Sequence, residues 1–218
     1  MFRIQPVFAI VHRYRFAMLF GSLLVAIGAR PLLKALSYDW NPMRLFMALV
    51  LLAAIGSAIR ERDWSLPILG VAYLMFRLHE ALVAHPPLLP LSDAAWVIAC
   101  TVVAANAIRY VMRTGPVDRE RIFAAVDVYL LSAVIFGVVY WLLNQVWPGS
   151  FGKSSVDVFT RGDALYFSFV TIATLGYGDI VPTSDQARGL VMIEAVGAQL
   201  YLTVLVARLV TLYEHEPR

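Results

Sequence analysis

The stretch that decides the fold is "TIATLGYGDIVP", residues 171–182. It holds two glycines, Gly176 and Gly178, with Tyr177 between them and Asp179 directly after. Glycine disfavours a helix by about 1 kcal/mol relative to alanine, so a segment this short and glycine-rich is not predicted to be helical. Because apolar runs flank it on both sides, the sequence places irregular backbone inside an apolar region.

The composition indicates that the surrounding solvent is lipid. Of the 218 residues, 60% are hydrophobic and 15% are charged, and the mean hydropathy is +0.71. Soluble domains are about 45–50% apolar and about 25% charged. The net charge of +3 is spread between apolar runs, so no nucleic-acid partner is expected. The single cysteine, Cys100, is predicted to be an inert buried thiol.

Six apolar runs are close to the length of a membrane span. About 20 helical residues cross the hydrocarbon core of a bilayer. The runs are residues 16–36, 43–59, 66–84, 94–112, 122–146 and 190–212. The sequence therefore predicts an all-α membrane protein with six transmembrane helices. In the break "HPPLLPLSD" the prolines are expected to keep a helix from continuing, and Ser92 and Asp93 to cap the fourth span.

The distribution of Lys and Arg predicts the orientation in a cell membrane. With the N-terminus in the cytoplasm, eleven basic residues lie on the cytoplasmic side and six on the other, which favours two cytoplasmic termini. The predicted organisation is a cytoplasmic segment (1–15), a four-helix membrane domain (16–113), a linker (114–121), a pore domain (122–213) and a short cytoplasmic tail (214–218).

The segment between the last two spans, residues 147–188, begins and ends outside the cell in this topology. Its apolar part, residues 164–174, is too short to cross the membrane, and Asp163 is expected to cap its N-terminus. A short helix that enters and returns as extended chain is a re-entrant loop. Irregular backbone at membrane depth is tolerated only where it is buried in protein or lines a water-filled cavity, so residues 174–179 are expected to line a pore.

The residue types in this loop suit a cation path. Gly176 and Gly178 accept positive φ without a Cβ penalty. Alternation with ordinary residues turns successive carbonyl oxygens to one side, where they can replace the water shell of a cation. Leu175 and Tyr177 then point into the wall, and the Thr174 hydroxyl adds an oxygen at the inner end. The C-terminus of the re-entrant helix carries partial negative charge that favours a cation.

Residues 171–179 resemble the signature sequence of potassium channels, T-x-x-T-x-G-Y-G-D, with each fixed position met. The resemblance implies a selectivity filter in which carbonyl oxygens replace the hydration shell of K⁺. The ion-binding residues it implies are Thr174, Leu175, Gly176, Tyr177 and Gly178, with K⁺ held at the first four. The alternative is a glycine-rich extracellular loop.

The resemblance covers residues 122–212 and implies an outer helix, a pore helix, the filter and an inner helix. Tyr166 and Phe167 match the aromatic pair that supports the filter, and Tyr166 is expected to hydrogen-bond Asp179. Thr171 is a further supporting residue. Gly197 lies one residue from the position of the family's inner-helix hinge, and close helix packing is the alternative role for it.

One chain supplies one quarter of such a filter, so the resemblance implies a homotetramer. Counted from the filter, the inner-helix residues Gln199, Leu202 and Val206 come round at helical spacing to face a central cavity. A buried packing role for Gln199 remains open.

Ionisable residues inside spans are costly and rare. Glu194 is expected to face the pore helix and bond Ser168 or Thr171, either tuning the filter or making a structural bond. Asp127 is expected to pair with Arg109 or Arg113.

The run "RLHE" places Arg77 and Glu80 three residues apart, where they can pair on one helix face. Between them, His79 is either a pH sensor or a packing residue.

The fourth span has only Arg109 and Arg113 near its inner end, whereas a voltage sensor needs several arginines at every third position. We expect little voltage dependence. The predicted function is passive K⁺ conduction in a lipid bilayer, with no enzymatic activity and no cofactor other than K⁺ as the conducted ion. The alternatives are a potassium-uptake transporter subunit and a non-conducting tetrameric sensor scaffold.

Overall fold

A computed structural model describes residues 14–35, 89–113, 118–154 and 158–214 of the chain. The elements in chain order are α1 (Arg15–Ala35), α2 (Leu89–Met112), α3 (Arg119–Val146), β1 (Phe151–Lys153), α4 (Arg161–Ile172), β2 (Ile180–Pro182) and α5 (Asp185–Glu214). The predicted spans at 43–59 and 66–84 lie outside the described residues, as do Arg77, His79 and Glu80.

In the part of the chain that the structure describes, two helices are long and apolar enough to cross a membrane. They are Arg119–Val146 and the part of α5 over Asp185–Arg208. At 1.5 Å per residue, α3 is about 42 Å long, which exceeds the ~30 Å of the hydrocarbon core. Helices α1 and α2 contain shorter apolar stretches, Phe16–Val25 and Trp96–Met112. The described part is mostly helical, as the sequence predicts.

The start of α2 differs from the prediction. The helix begins at Leu89, so Ser92 and Asp93 lie inside its first turns rather than at its N-cap. Pro90 fits in the first turn because N–H groups there have no intrahelical acceptor. The N–H that proline lacks would therefore make no helical hydrogen bond at this position.

The chain divides into two compact units. Among the described residues, one unit comprises residues 14–35 and 98–128. Its helices meet through aromatic pairs, with ring centroids 5.0 Å apart for Phe16 and Tyr110 and 5.5 Å apart for Phe20 and Phe123. The backbone N–H of Phe16 donates to the Glu120 carboxylate at 3.1 Å. Cys100 is buried and free, as expected.

The predicted pairing of Asp127 with Arg109 or Arg113 is wrong. Asp127 has no exposed surface, and neither of its carboxylate oxygens has a hydrogen-bond partner. Helical spacing explains its position, because Ala124, Asp127 and Leu131 share the buried face of α3. The Arg109 guanidinium is exposed and donates to Asn106 Oδ1 at 2.6 Å.

The other unit comprises residues 89–97 and 129–214 within the described chain. Strands β1 and β2 pair antiparallel, with Gly152 opposite Val181. A hydrophobic cluster forms between α3, α4 and these strands. Its buried aromatic residues are Tyr140, Phe151, Phe159 and Phe167. This cluster fixes α4, which in turn positions the loop after it.

Candidate functional site

The N-terminus of α4 is held by a capping box. The N-cap is Thr160, whose side chain accepts from the Asp163 N–H, while the Asp163 carboxylate accepts from the Thr160 N–H at 2.8 Å. Asp163 is therefore not the predicted N-cap. It is the third helical residue, and its side chain accepts from the backbone N–H of the N-cap, Thr160. The helix also begins earlier and ends at Ile172, two residues before the predicted end.

Lys153 of β1 joins this cap. Its ammonium lies 3.2 Å from the Asp163 carboxylate. Partial burial of Asp163 opposes its ionisation, but the hydrogen bonds from Thr160 and Lys153 outweigh this effect and hold the pKa of Asp163 below its ordinary value of 3.8. A charged carboxylate near the helix N-terminus also complements the helix dipole.

The C-terminus of α4 runs into the loop through several backbone hydrogen bonds. The Thr174 N–H donates to the Thr171 carbonyl at 3.0 Å, and the Leu175 N–H donates to the Val170 carbonyl at 2.9 Å. The Tyr129 hydroxyl of α3 donates to the Ile172 carbonyl at 2.7 Å. The end of α4 is thereby tied to α3 just before the loop begins.

Positive φ angles alternate along the loop. The φ angle is 59° at Thr174, 55° at Gly176 and 79° at Gly178. The conformation expected of the two glycines is present, and the sequence reasoning did not anticipate the same conformation at Thr174. A residue other than glycine with positive φ is uncommon and is held in place by its surroundings.

The loop side chains face away from the rest of this chain. The side chains of Leu175 and Tyr177 are 56% and 66% exposed. A Cβ placed on Gly176 or Gly178 would meet nothing within 4 Å. Within one chain the loop therefore has free space on its side-chain surface.

The outer end of the loop is anchored by the segment before α4. The Ser154 N–H and hydroxyl both lie within hydrogen-bond distance of the Asp179 carbonyl, at 3.0 and 3.2 Å. The Thr183 N–H donates to the Ser150 carbonyl at 2.9 Å. The expected hydrogen bond between Tyr166 and the Asp179 carboxylate is also present. Backbone and side chain of Asp179 are thus both held.

Glu194 of α5 lies behind α4, where it is 2% exposed. It is hydrogen-bonded to Ser168, one of the two partners that were expected, and not to Thr171. The Tyr140 hydroxyl of α3 donates to Glu194 Oε2 at 2.6 Å. The three helices around the loop therefore meet at one buried polar cluster.

Helices α3 and α4 approach closely at Gly137. A Cβ built there would lie 2.9 Å from Leu165 Cα and 3.4 Å from the Ala164 carbonyl oxygen. Phe167 is buried beside this contact, with its ring 5.5 Å from Tyr140. Phe167 thus packs inside, whereas its neighbour Tyr166 is exposed within this chain.

Helix α5 has one face toward this chain and another that is open. Ala187, Glu194, Ala198 and Leu205 are buried, at the spacing of one helical face. The predicted cavity-lining residues lie elsewhere on the helix. Gln199 and Val206 are exposed, and Leu202 is partly buried. Gly197 is exposed, and no atom lies within 4 Å of a Cβ built on it.

A family model described as ion channel matches residues 128–215. The chain is 33% identical over 91 residues to two pore potassium channel c of Oryza sativa subsp. japonica, covering 40% of this chain and 19% of that protein. It is 32% identical over 84 residues to two-pore potassium channel 4 of Arabidopsis thaliana, covering 38% of this chain and 28% of that one.

The chain is also 34% identical over 80 residues to inward rectifier potassium channel Kirbac3.1 of Paramagnetospirillum magnetotacticum, covering 35% of this chain and 24% of that protein. The C-terminal segment of this chain is therefore similar to ion channels and, among the relatives named here, to potassium channels. This chain spans less than a third of the length of each of these relatives. No solved structure matches it. The predicted resemblance to potassium channels is confirmed.

Sequence reasoning missed four residues that hold the loop or the helices around it, namely Tyr129, Gly137, Tyr140 and Ser154. The two tyrosines of α3 stand eleven residues apart, which is close to three helical turns and places both on one face. Hydroxyl groups repeating on one face of an apolar helix are the signal that could have pointed to partners in the loop region. Ser154 gave no such signal because its contact is with a backbone carbonyl.

Proposed function

We propose that the chain forms a K⁺-selective channel whose filter is the loop of residues 174–178. The observation that carries the proposal is the alternation of positive φ at Thr174, Gly176 and Gly178. In a chain whose residues alternate in this way, successive carbonyl groups turn to the same side. Rings of such carbonyls substitute for the hydration shell of K⁺. The proposed K⁺ sites are formed by Thr174, Leu175, Gly176 and Tyr177, with Gly178 completing the outer ring.

A single loop cannot surround an ion, so we propose that four copies assemble around one axis. The exposed side chains of Leu175 and Tyr177 and the open face of α5 leave surface for neighbouring copies. In the tetramer, Gln199, Leu202 and Val206 would line the cavity below the filter, and Gly197 would act as the hinge of α5. Tyr166, Phe167, Thr171, Asp179 and Glu194 would support the filter.

The proposed setting is a six-span subunit in the cell membrane with both termini in the cytoplasm. Conduction is passive, and the chain acts as a channel rather than as an enzyme. Voltage dependence is weak, because the fourth predicted span carries Arg109 and Arg113 as its arginines. Arg109 is also hydrogen-bonded to Asn106 on its own helix. Each charge moved through the membrane yields about 2.3 kcal/mol per 100 mV, so two arginines supply little gating energy.

A flux assay on the full chain in liposomes tests the proposed function. K⁺ flux that exceeds Na⁺ flux and is blocked by barium supports a K⁺-selective channel. Equal fluxes of K⁺ and Na⁺ would remove the proposed selectivity. The absence of flux at every pH, voltage and lipid composition would favour a non-conducting scaffold, and transport coupled to a second ion would favour an uptake transporter.

A further inference from the structure

Ser168, Glu194 and Tyr140 form a buried cluster behind the loop. In this cluster Ser168 has two hydrogen-bond contacts with oxygen acceptors but only one proton to donate. Ser168 Oγ is hydrogen-bonded to Glu194 Oε1 and also lies 2.8 Å from the Ala133 carbonyl oxygen of α3. A serine hydroxyl has one proton to donate. A backbone carbonyl oxygen only accepts, so the Ala133 contact needs the serine proton.

The proton in the remaining contact must then come from Glu194. A protonated carboxyl donates to Ser168 through Oε1 and accepts from Tyr140 through Oε2, so every contact contains one proton. An ionised Glu194 could only accept a hydrogen bond, so the Ser168 hydroxyl would have to donate to it. The Ser168 and Ala133 oxygens would then face each other with no proton between them. It would also be a buried charge with no cationic partner, which is strongly unfavourable.

Among the described residues, the surroundings of Glu194 contain no group that would offset such a charge. The titratable groups that face it are Tyr129 and Tyr140 of α3, and α4 contributes Ser168, which is not titratable. Among the described residues no Lys, Arg or His pairs with it. Both tyrosines are neutral donors at ordinary pH, so the cluster as a whole is neutral only if Glu194 keeps its proton.

We infer that Glu194 is a protonated positioning residue whose carboxyl group ties α5 to Ser168 of α4 and, through Ser168, to the Ala133 carbonyl of α3. Ser168 precedes the loop by six residues, so the tie fixes the helix from which the loop emerges. Loss of the proton turns the Ser168 hydroxyl toward Glu194 and breaks its link to Ala133. The effect on ion flow rests on the proposed channel function, whereas the protonation state does not.

Glu194→Gln is the conservative test variant, because its amide nitrogen donates to Ser168 and its amide oxygen accepts from Tyr140. Glu194→Leu has a similar size and can make neither bond. Asp127→Asn removes a second buried carboxyl group, which lies on α3 and has no hydrogen-bond partner. It serves as the matched control for assigning a carboxyl signal.

Infrared spectroscopy of the full chain in lipid measures the protonation state without any ion flow. At neutral pH we expect a carbonyl band of a protonated carboxyl that Glu194→Gln removes and Asp127→Asn leaves in place. If Glu194→Gln instead removes carboxylate bands and no protonated band, the inference is overturned.

The pH profile of K⁺ flux measures the consequence. Wild-type flux is expected to fall as alkaline pH removes the proton, by about tenfold, which corresponds to the loss of one buried hydrogen bond. Glu194→Gln is expected to conduct like the wild type at neutral pH and to lose the alkaline fall, whereas Glu194→Leu conducts poorly throughout. A Glu194→Gln profile that still falls with the wild type would contradict the tie. A wild type without K⁺ selectivity would overturn the proposed function but leave the infrared result standing.

Discussion

Thr174, Gly176 and Gly178 share a backbone conformation whose cost depends on the side chain. A left-handed conformation costs an L-residue with a Cβ about 1–2 kcal/mol. Thr174 bears this cost and is held by its bond to Thr171. At the two glycines the cost is absent, and nothing in the same chain would meet a Cβ. A substitution at either glycine therefore changes the backbone preference rather than the packing within the chain.

From this we predict that Gly176→Ala disturbs the carbonyl ladder and lowers the ratio of K⁺ to Na⁺ permeability. In the proposed tetramer, the cost of a left-handed conformation for alanine applies at this position in each of the four copies. The measurement is the permeability ratio of the purified variant in liposomes. Gly189→Ala is the control, because Gly189 lies in α5 with ordinary φ and with open space around an added Cβ. An unchanged ratio in Gly176→Ala would show that its left-handed backbone is not needed for selectivity.

At the scale of elements, the close approach of α3 and α4 depends on Gly137. A methyl group there would lie 2.9 Å from Leu165 Cα, and overpacking of this kind costs about 1–3 kcal/mol. Alanine gains about 1 kcal/mol in helix propensity over glycine, but the contact is with backbone and cannot be relieved by a rotamer. We predict a lower thermal unfolding temperature for Gly137→Ala, measured on the protein in detergent.

Gly21→Ala is the comparison for Gly137, since Gly21 also lies within a helix and a Cβ there meets nothing within 4 Å. This variant is expected to be as stable as the wild type or more stable. Equal stability of Gly137→Ala and Gly21→Ala would contradict the close approach of α3 and α4.

The cap of α4 makes stability depend on pH. Because the pKa of Asp163 is lowered in the fold, its contribution is present above the unfolded pKa and is lost as the pH falls through the lowered value. Asp163→Asn is expected to cost up to about 1 kcal/mol near neutral pH. The difference from wild type should shrink as the pH falls below 3.8 and vanish below the lowered pKa of Asp163. Thermal unfolding across this range measures both.

Asp185→Asn is the control for Asp163. Asp185 is exposed and forms a surface pair with Arg188 at 3.5 Å, a kind of pair that contributes little. If the two variants lose the same stability, or if the Asp163→Asn deficit stays constant in acid, the cap does not act as the structure indicates.

The sequence predicted the loop well because its signal is local. Consecutive residues determine the positive φ of Gly176 and Gly178, and apolar run lengths determine α3 and α5. The buried contacts that hold the helices around the loop could not be predicted in the same way, because they join residues far apart in the chain. Tyr140 and Glu194 are 54 residues apart in the chain, and Asp127 is buried by the helix face it occupies. The Thr160 cap had a local signature, a threonine three residues before an acid, that the sequence reasoning did not use.

The proposed filter needs a loop from each of four copies of the whole chain. One chain has a mass of 24.3 kDa, and light scattering in mild detergent is expected to give about four times this mass once the detergent is subtracted. The physical reason is that one loop supplies only one side of a ring of carbonyls. A monomer or dimer that still conducts K⁺ selectively would contradict the proposed arrangement.

In the proposed channel, the backbone carbonyls of residues 174–178 select K⁺ over Na⁺. The most direct measurement is the reversal potential of the full chain in a planar bilayer with K⁺ on one side and Na⁺ on the other. If the carbonyls select K⁺, the wild-type reversal potential lies far from zero, with the sign expected for K⁺ permeation. In Gly176→Ala the reversal potential moves toward zero. A wild-type reversal potential near zero in an open channel would contradict K⁺ selection by these carbonyls.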